Sequence, residues 1–372
     1  MRKLVLWLMV VVLAATMGGS LAYGLRPYVD AARALQDITG QRAGMRTLPT
    51  STPVPAATGA TRSHPVATPT AAPTAVALRT PEHRLNFLIL GSDSDAKFIA
   101  SGTKLTTSSV FPNTQIMIFV SYDPVHQQLY MISIPRDLWV QIPGYGYNKI
   151  SLAAGYGNIT AVINVVQASF GVSIDHYGWV GLFGFVKIVD SLGGIDINVA
   201  HPMVENDFPD DIDNPRNPYA YRRMFIAPGP QHLDGETTEL YVRARHGDAS
   251  GDFGRSQRQQ QVLLALKRKV QRRIGAGDFD VGSILAQDLR GEALTDMTIP
   301  ELLSVAHSVL GLPSGHIHRW VLSPTAGYTT ENNKEQLATG GVTDAVDPNW
   351  GRILPLFACV DSDQAARGCS GL

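Results

Sequence analysis

Hydrophobic and polar positions follow two periods along the chain, one typical of strands and one typical of helices. Residues 85–91, LNFLILG, are a short apolar run that ends in glycine and predict a buried strand. Two further runs, TQIMIFVSY and QLYMISI, are separated by the short segment DPVHQ. Because strand-like runs joined by a few turn residues form hairpins, they predict an antiparallel pair.

Helical spacing follows these strands. Residues 159–171 have apolar positions at helical intervals and stop at Gly171, and residues 180–194 repeat the pattern before Gly193 and Gly194. The segment IDINV predicts a strand, LYVRAR is predicted to end a strand, and residues 255–274 predict an amphipathic helix. Strands, hairpins and helices in this order predict a single three-layer α/β/α domain with a mixed central sheet over residues 83–372.

The N-terminal segment predicts a membrane anchor. Arg2 and Lys3 precede a run without charges from residue 4 to residue 23. About twenty helical residues at roughly 1.5 Å each cover the hydrocarbon core of a bilayer. A cleaved signal peptide is the alternative, with Ser20-Leu21-Ala22 as a cleavage site, but the run is long for that purpose. We therefore expect residues 1–25 to form a single transmembrane signal-anchor in the cell membrane, with the N-terminus cytoplasmic and the rest extracytoplasmic.

A spacer separates this segment from the domain. Residues 48–81 are dominated by Pro, Thr and Ala, with seven prolines and no acidic residue. Such a composition buries too little apolar surface to offset the entropy of ordering, so residues 26–82 are predicted to be an extended extracytoplasmic stalk.

Overall charge narrows the classes of function. The chain has 31 basic and 32 acidic residues, a formal net charge of −1, so it lacks the basic surface expected of a nucleic-acid-binding protein. DNA binding is therefore the least favoured function. The two cysteines, Cys359 and Cys369, predict one disulfide in an exported protein, with two free thiols as the alternative.

Basic residues are nevertheless concentrated in one stretch, YVRARHGDASGDFGRSQRQQQ, from residue 241 to residue 261. Arg243 and Arg245 would share one face of the predicted strand, and Arg255, Arg258 and Gln259 would lie in the first turns of the next helix. A glycine-rich loop, a helix N-terminus and arginines together favour a polyphosphate ligand. The alternative is that these arginines form ordinary ion pairs with Asp248 and Asp252.

Two other strand ends carry charged residues. Arg136 and Asp137 follow a hydrophobic strand, and Lys149 comes shortly afterwards. Ligands of α/β sheets gather at such strand ends, although an Arg136–Asp137 pair at the sheet edge is an equally good interpretation. Asp93 follows the first strand and is a candidate Mg²⁺ ligand, or else a turn residue.

These motifs resemble one known family. In order, the segments are NFLILGSDSD, ISIPRDLWVQIPG, NKI, GVSIDHY, GFVKIVDSLGGIDINV, LDGETTELYVRARHGDASGDFGRSQRQQQV and DPNWGRILPLF. They are similar to the LytR-CpsA-Psr family. The resemblance implies an enzyme of the bacterial envelope that moves a phosphate-linked glycopolymer, such as a teichoic acid or capsule chain, from a polyprenyl pyrophosphate carrier to peptidoglycan.

The resemblance also implies roles for individual residues. The predicted pyrophosphate-binding residues are Arg136, Lys149, Arg243, Arg245, Arg255 and Gln259. Asp93 and Arg136 are the predicted catalytic residues, and Asp93 would also bind Mg²⁺, or another divalent cation such as Mn²⁺. Two apolar helices, at residues 162–170 and 182–192, would line a tunnel for the prenyl chain or simply form core.

Three positions depart from the family pattern. Asp95 replaces an expected arginine, while Asn113 and Gln115 replace an expected arginine and an expected metal-associated aspartate. An amide supplies no negative charge, so metal affinity is expected to fall unless Asp95 compensates. The alternative function is therefore a catalytically weakened scaffold that binds the polyprenyl pyrophosphate carrier without turnover.

Overall fold

The computed structural model describes residues 81, 83–92, 113–210, 213–214, 217, 219–245, 251–278, 280–289, 292–337, 341–362, 365 and 368–369. The predicted transmembrane segment, nearly all of the predicted stalk, Asp93 and Asp95 lie outside these residues. Among the described helices, none combines the length and apolar character that a bilayer crossing needs.

The described domain contains fourteen strands and seven α-helices. The strands are β1 (Leu85–Ser92), β2 (Ile116–Asp123), β3 (Gln128–Ser133), β4 (Trp139–Ile142), β5 (Gly146–Lys149), β6 (His176–Gly181), β7 (Ile195–Val199), β8 (Met203–Pro209), β9 (Tyr221–Ile226), β10 (Gly229–Leu233), β11 (Ala293–Thr295), β12 (Ile317–Val321), β13 (Thr329–Gln336) and β14 (Val342–Pro348). The helices are α1 (Ala153–Phe170), α2 (Leu182–Ser191), α3 (Gly235–Arg243), α4 (Gly251–Gly275), α5 (Val281–Asp288), α6 (Ile299–Gly311) and α7 (Trp350–Val360). Two short 3₁₀ helices span Ile150–Leu152 and Ser314–His316.

Six strands form the central sheet in the order β11-β6-β1-β2-β3-β12. Strand β2 is antiparallel to both β1 and β3, whereas β6 runs parallel to β1 and β12 runs parallel to β3. The predicted β2–β3 hairpin and the predicted mixed sheet are therefore confirmed.

Helices cover both faces of this sheet. On one face, alternate side chains of the strands pack with α1 and α7, where Phe170 and Phe357 stack with ring centroids 4.4 Å apart. On the other face, the intervening side chains, including Val120 and Met131, pack against α6 and Leu263 of α4. Side chains of a strand alternate between the two faces of the sheet. Here the side chains on both faces are apolar, so helices pack on both faces and the domain has three layers.

A second, smaller core adjoins the sheet. Two hairpin-like pairs, β7 with β10 and β8 with β9, enclose apolar side chains together with α2, α3 and the middle of α4. Helix α4 contributes to both cores, since Leu263 packs in the sheet core and Val262 in the smaller one. The middle of α4 is thus fixed between two packed regions.

Most helix predictions are confirmed, with one error that affects the candidate site. Helix α1 stops before Gly171, whose φ of 68° closes it in the left-handed conformation, and α2 stops before Gly193. The strand predicted at LYVRAR is wrong, because residues up to Arg243 belong to α3. Asp234 begins this helix by accepting a hydrogen bond from the backbone N–H of Thr237.

Cys359 and Cys369 form a disulfide, with their Cα atoms 6.0 Å apart. Cys359 lies in α7, and Cys369 is buried in the sheet core. The bond therefore joins the C-terminal segment to the helix that covers one face of the sheet.

Candidate anion-binding site

The backbone at the end of β3 holds Arg136 and Asp137 in a fixed turn. The N–H of Leu138 donates to the carbonyl of Pro135 at 3.1 Å, and the N–H of Ser151 donates to the carbonyl of Arg136 at 3.0 Å. The carbonyl of Asp137 accepts from the N–H of Val346 at 2.9 Å. Both side chains are thus presented from an anchored backbone.

Six charged side chains meet at this turn, and we call them the charged cluster: Arg136, Asp137, Lys149, Arg245, Asp252 and Arg255. Asp137 lies 3.4 Å from Nε of Arg136 and 3.1 Å from Nζ of Lys149. Asp252 lies 3.7 Å from Arg136, 3.9 Å from Arg245 and 3.4 Å from Arg255. Four positive charges therefore share two carboxylates, which leaves an excess of positive charge.

Burial and repulsion act on Arg255 in particular. Arg255 is 7% exposed, and its burial, together with the nearby charges of Arg136 and Arg245, lowers its pKa to about 10 although Asp252 opposes the shift. Burial raises the pKa of Asp137, but the charges of Arg136 and Lys149 outweigh it and leave that pKa below its usual value. The site thus keeps the carboxylate of Asp137 ionised, and it holds the charged guanidinium of Arg255 at an energetic cost.

Three buried polar atoms of the charged cluster are left without a hydrogen bond among the described residues. They are Nε of Arg136, Nε of Arg255 and Oδ1 of Asp252. Buried donors normally have partners, because an unmade hydrogen bond costs roughly 1–3 kcal/mol. Two guanidinium N–H groups that make no hydrogen bond, in a cluster whose described side chains carry excess positive charge, favour an anionic ligand.

Helix α4 adds to this preference. Asp252 and Arg255 lie in its first two turns, close to the N-terminal end at Gly251. The first backbone N–H groups of a helix have no partner within the helix, and the helix dipole places partial positive charge there. The helix start and the arginines together form the kind of site that binds phosphate groups.

The other predicted pyrophosphate-binding residues are placed differently. Arg243 pairs with Glu239 of its own helix and lies 5.4 Å from the ring centroid of Phe208. Gln259 donates to the carbonyl of Val242 at 3.3 Å. Because Arg243 ends a helix, the expected strand face shared by Arg243 and Arg245 does not exist.

Arg258, which the sequence also suggested for the anion site, has a structural role. Its Nε donates to the carbonyl of Tyr241 at 2.7 Å, and its Nη2 donates to the carbonyl of Ala244. Carbonyls at the end of a helix lack partners within the helix, so this guanidinium closes α3 onto α4. Both Arg255 and Arg258 are buried arginines of α4, so only their contacts in the structure distinguish their roles.

The family model described as the LytR_cpsA_psr family matches residues 56–344. The chain belongs to the LytR_cpsA_psr family. One relative, polyisoprenyl-teichoic acid–peptidoglycan teichoic acid transferase TagV of Bacillus subtilis, is 30% identical over 58% of this chain and 53% of its own length. Another, regulatory protein MsrR of Staphylococcus aureus, is 31% identical over 50% of this chain and 49% of its own. The chain thus spans about half the length of these curated relatives.

Solved structures show the LytR_cpsA_psr fold. The crystal structure of Bacillus subtilis TagV superposes with a TM-score of 0.56 at 23% identity and covers 76% of this chain and 97% of that one. A structure of TagT bound to LI-WTA has a TM-score of 0.52 at 20% identity and covers 75% of this chain and 90% of that one. At these identities the likeness concerns the fold alone.

Gln115 faces Arg136 in this family member. Its Oε1 accepts a hydrogen bond from Nη1 of Arg136, so a metal ion bound through that oxygen would have to share it with a guanidinium. The described residues contain no group of three His, Cys, Asp or Glu side chains suited to a metal ion. Asp93 and Asp95 lie outside them, so a divalent cation stays a prediction.

The helices predicted to line a lipid tunnel are well packed where they are described. Val162, Val166 and Phe170 of α1 belong to the sheet core, and Val189 of α2 belongs to the smaller core. These side chains therefore act as core, and a prenyl tunnel along them stays a prediction.

Proposed function

We propose that this protein transfers a phosphate-linked glycopolymer from a polyprenyl pyrophosphate carrier to peptidoglycan during assembly of the bacterial cell wall. The observation that carries the proposal is the charged cluster, in which the buried Nε atoms of Arg136 and Arg255 make no hydrogen bond to the described residues. The names of the relatives TagV and TagU, both peptidoglycan teichoic acid transferases, support transfer rather than binding alone.

The chemistry requires positioning and charge neutralisation more than a protein nucleophile. A hydroxyl of peptidoglycan attacks the phosphorus that carries the glycopolymer, and the bridging P–O bond breaks so that the carrier leaves as polyprenyl phosphate. Arg136, Arg245 and Arg255 would bind the pyrophosphate oxygens and stabilise the charge that develops on the leaving group. Lys149, whose Nζ contacts Asp137, adds a further positive charge to the cluster.

Asp93 is proposed to bind a divalent cation and to help take the proton from the attacking hydroxyl. Mg²⁺ or Mn²⁺, when bound, would neutralise phosphate oxygens next to the arginines. The segment at residues 1–25 is proposed to anchor the chain in the cell membrane, with the domain outside, where a carrier lipid and peptidoglycan are both within reach.

Turnover of the carrier tests this proposal. The full-length chain, purified in detergent, is mixed with a polyprenyl pyrophosphate bearing a short glycan and with peptidoglycan fragments, with and without Mg²⁺. Release of polyprenyl phosphate coupled to labelling of peptidoglycan is expected. Gln115→Asp is the informative variant, because it restores a carboxylate beside Arg136.

Binding of the carrier without turnover by the native chain, and turnover by Gln115→Asp, would identify the weakened scaffold instead. Absence of any binding to polyprenyl pyrophosphate would contradict both functions.

A further inference from the structure

Two exposed tyrosines are in contact a few residues along the chain from Lys149 and Arg136 of the charged cluster. The ring centroids of Tyr145 and Tyr156 lie 4.3 Å apart with their planes inclined by 31°. Tyr145 is 53% exposed and Tyr156 is 36% exposed, so both rings keep surface open to a ligand. We call these two residues the tyrosine pair. Exposed aromatic groups that are held together mark binding surfaces more often than single exposed rings do.

A rigid turn presents Tyr145. The chain turns at Pro143 and Gly144 between β4 and β5, and the N–H of Tyr145 donates to the carbonyl of Ile142 at 2.9 Å. Gly144 has a φ of 82° and Gly146 a φ of 81°, values that a side chain would strain. Proline followed by glycine with positive φ is the signature of a type II turn. Tyr145 is therefore fixed between two positions that require glycine.

A strained break in α1 presents Tyr156. Asn158 has φ of 64° and ψ of −161°, a conformation that is essentially restricted to glycine and costs roughly 1–3 kcal/mol. Its Oδ1 accepts a hydrogen bond from the N–H of Thr160 at 2.8 Å and so begins the remainder of the helix. Strain of this kind persists mainly where function requires it. Here the strained residue separates the first turn of α1, which bears Tyr156, from the rest of the helix.

Two hydrogen bonds join the β4–β5 hairpin, which bears Tyr145, to the first turn of α1, which bears Tyr156. Nδ2 of Asn148 donates to the hydroxyl of Tyr156 at 3.1 Å, and the hydroxyl of Tyr145 donates to the carbonyl of Tyr156 at 3.4 Å. The tyrosine pair is thus preorganised before any ligand binds, which lowers the entropy that binding must overcome.

Short lengths of chain connect the tyrosine pair to the charged cluster. Lys149 ends the strand that starts beside Tyr145, and Nζ of Lys149 contacts Asp137. Ser151 donates to the carbonyl of Arg136, and Tyr156 follows it by five residues, about 8 Å along a helix axis.

We propose that the tyrosine pair is a sugar-binding subsite that takes a pyranose ring of the glycan next to the pyrophosphate. The apolar C–H face of the ring would pack on the exposed tyrosine surface, and its hydroxyls would reach Asn148 and the tyrosine hydroxyls. This inference rests on the proposed function for the identity of the neighbouring anion. The sugar belongs either to the donor glycopolymer or to the acceptor glycan, and the chemistry of the subsite is the same for both.

Binding measurements on the full-length chain test the subsite separately from turnover. The donor probes are polyprenyl pyrophosphate with and without one N-acetylglucosamine, and the acceptor probe is an uncharged tetramer of β-1,4-linked N-acetylglucosamine. The variants are Tyr145→Ala combined with Tyr156→Ala, and Tyr145→Phe, which keeps the ring. Tyr219→Ala is the matched control, because Tyr219 is 83% exposed and belongs to neither element that carries the tyrosine pair.

The double alanine variant is expected to bind one sugar-bearing probe about tenfold more weakly. Tyr145→Phe should lose less than the double variant, because it keeps the ring and removes only one hydroxyl, and Tyr219→Ala should bind as the native chain does. Loss on the sugar-bearing donor assigns the subsite to the glycopolymer, and loss on the tetramer assigns it to the acceptor. Affinity for the sugar-free pyrophosphate should not change. If the double variant binds both sugar probes as well as the native chain, the subsite is wrong, and the proposed function is unaffected. If the native chain does not bind the sugar-free pyrophosphate, the proposed function fails instead.

Discussion

Two arginine clusters among the described residues differ in whether their charge is balanced. At the start of β1, the guanidinium of Arg84 donates to Ser121 at 3.2 Å, to Asp123 at 2.7 Å, and to the carbonyls of Val360 at 3.0 Å and Ser362 at 2.9 Å. We call this set the Arg84 cluster. In the charged cluster, three arginines and a lysine share two carboxylates, and two Nε donors have no hydrogen bond among the described residues.

This difference separates a structural arginine from a binding one. A buried charge whose donors are all used stabilises the fold, whereas a buried charge in excess costs stability until a ligand arrives. Proteins retain such costs mainly at functional sites. The comparison predicts that removing Arg84 and removing Arg255 have opposite effects on the free energy of unfolding.

The largest expected effect is on turnover in Arg255→Met. Loss of one preorganised donor to a developing negative charge costs about 10²–10³-fold in rate. The same variant should have a higher Tm, because folding no longer buries a guanidinium whose pKa is lowered to about 10. Carrier turnover and thermal unfolding measure the two effects.

Arg258→Met is the matched control for Arg255→Met, since it removes a guanidinium of equal burial three residues later in α4. It should lower the Tm, because the carbonyls of Tyr241 and Ala244 lose their donor. A lower Tm for Arg255→Met as well would erase the proposed distinction between the two arginines.

The second effect concerns stability at the Arg84 cluster. Arg84→Ala should lower the free energy of unfolding by about 3 kcal/mol, because it leaves the buried carboxylate of Asp123 without its guanidinium. Turnover per folded molecule should stay unchanged, since the charged cluster contains none of these groups. Chemical denaturation measures the loss, and Arg319→Ala, at an exposed position of β12, serves as the surface control. An equal loss in both variants would mean that the Arg84 contacts add no stability.

Much of this distinction is invisible in the sequence. Hydrophobic periodicity correctly predicted β1, the β2–β3 hairpin and the helices that end at Gly171 and Gly193, because burial on one face is a local pattern. The arginine stretch was correctly singled out, yet it supplies both a donor to backbone carbonyls, Arg258, and a donor with an open Nε, Arg255. That difference depends on which of the two side chains reaches the backbone carbonyls at the end of α3, and only the folded structure determines this.

The error at LYVRAR has a physical cause. Its adjacent Tyr and Val favour a strand, but Asp234, seven residues before Tyr241, caps a helix that continues through Arg243. Asp234 with Glu236 in the first turn was the sequence signal for this helix. Asp137 and Asp252 were treated as competitors for the arginines, although both belong to the charged cluster itself.

The third effect links the disulfide to the Arg84 cluster. The carbonyls that Arg84 binds, in Val360 and Ser362, lie inside the segment that Cys359 and Cys369 close. Replacing both cysteines by alanine should cost about 2–3 kcal/mol for a loop of this length. Combined with Arg84→Ala, the loss should be smaller than the sum, because both changes release the same segment. Strict additivity in a double-mutant cycle would show that the two are independent.

The smallest effect is a pH dependence at the edge of the Arg84 cluster. Burial raises the pKa of Asp361, helped by the charge of Asp175, and Asn86 and Arg84 oppose the shift only partly. A carboxyl whose pKa is raised on folding contributes stability that is present below its unfolded pKa and is lost as the pH rises through its folded pKa. Asp361→Asn stays uncharged and avoids that loss. Its Tm should therefore match the native Tm near pH 3 and exceed it by about 1–2 °C at pH 7.

Because Asp123 has a lowered pKa despite its burial, Asp123→Asn should show the opposite trend, and its Tm should fall furthest below the native Tm at neutral pH. The same trend in both variants would mean that Arg84 does not distinguish the two carboxylates.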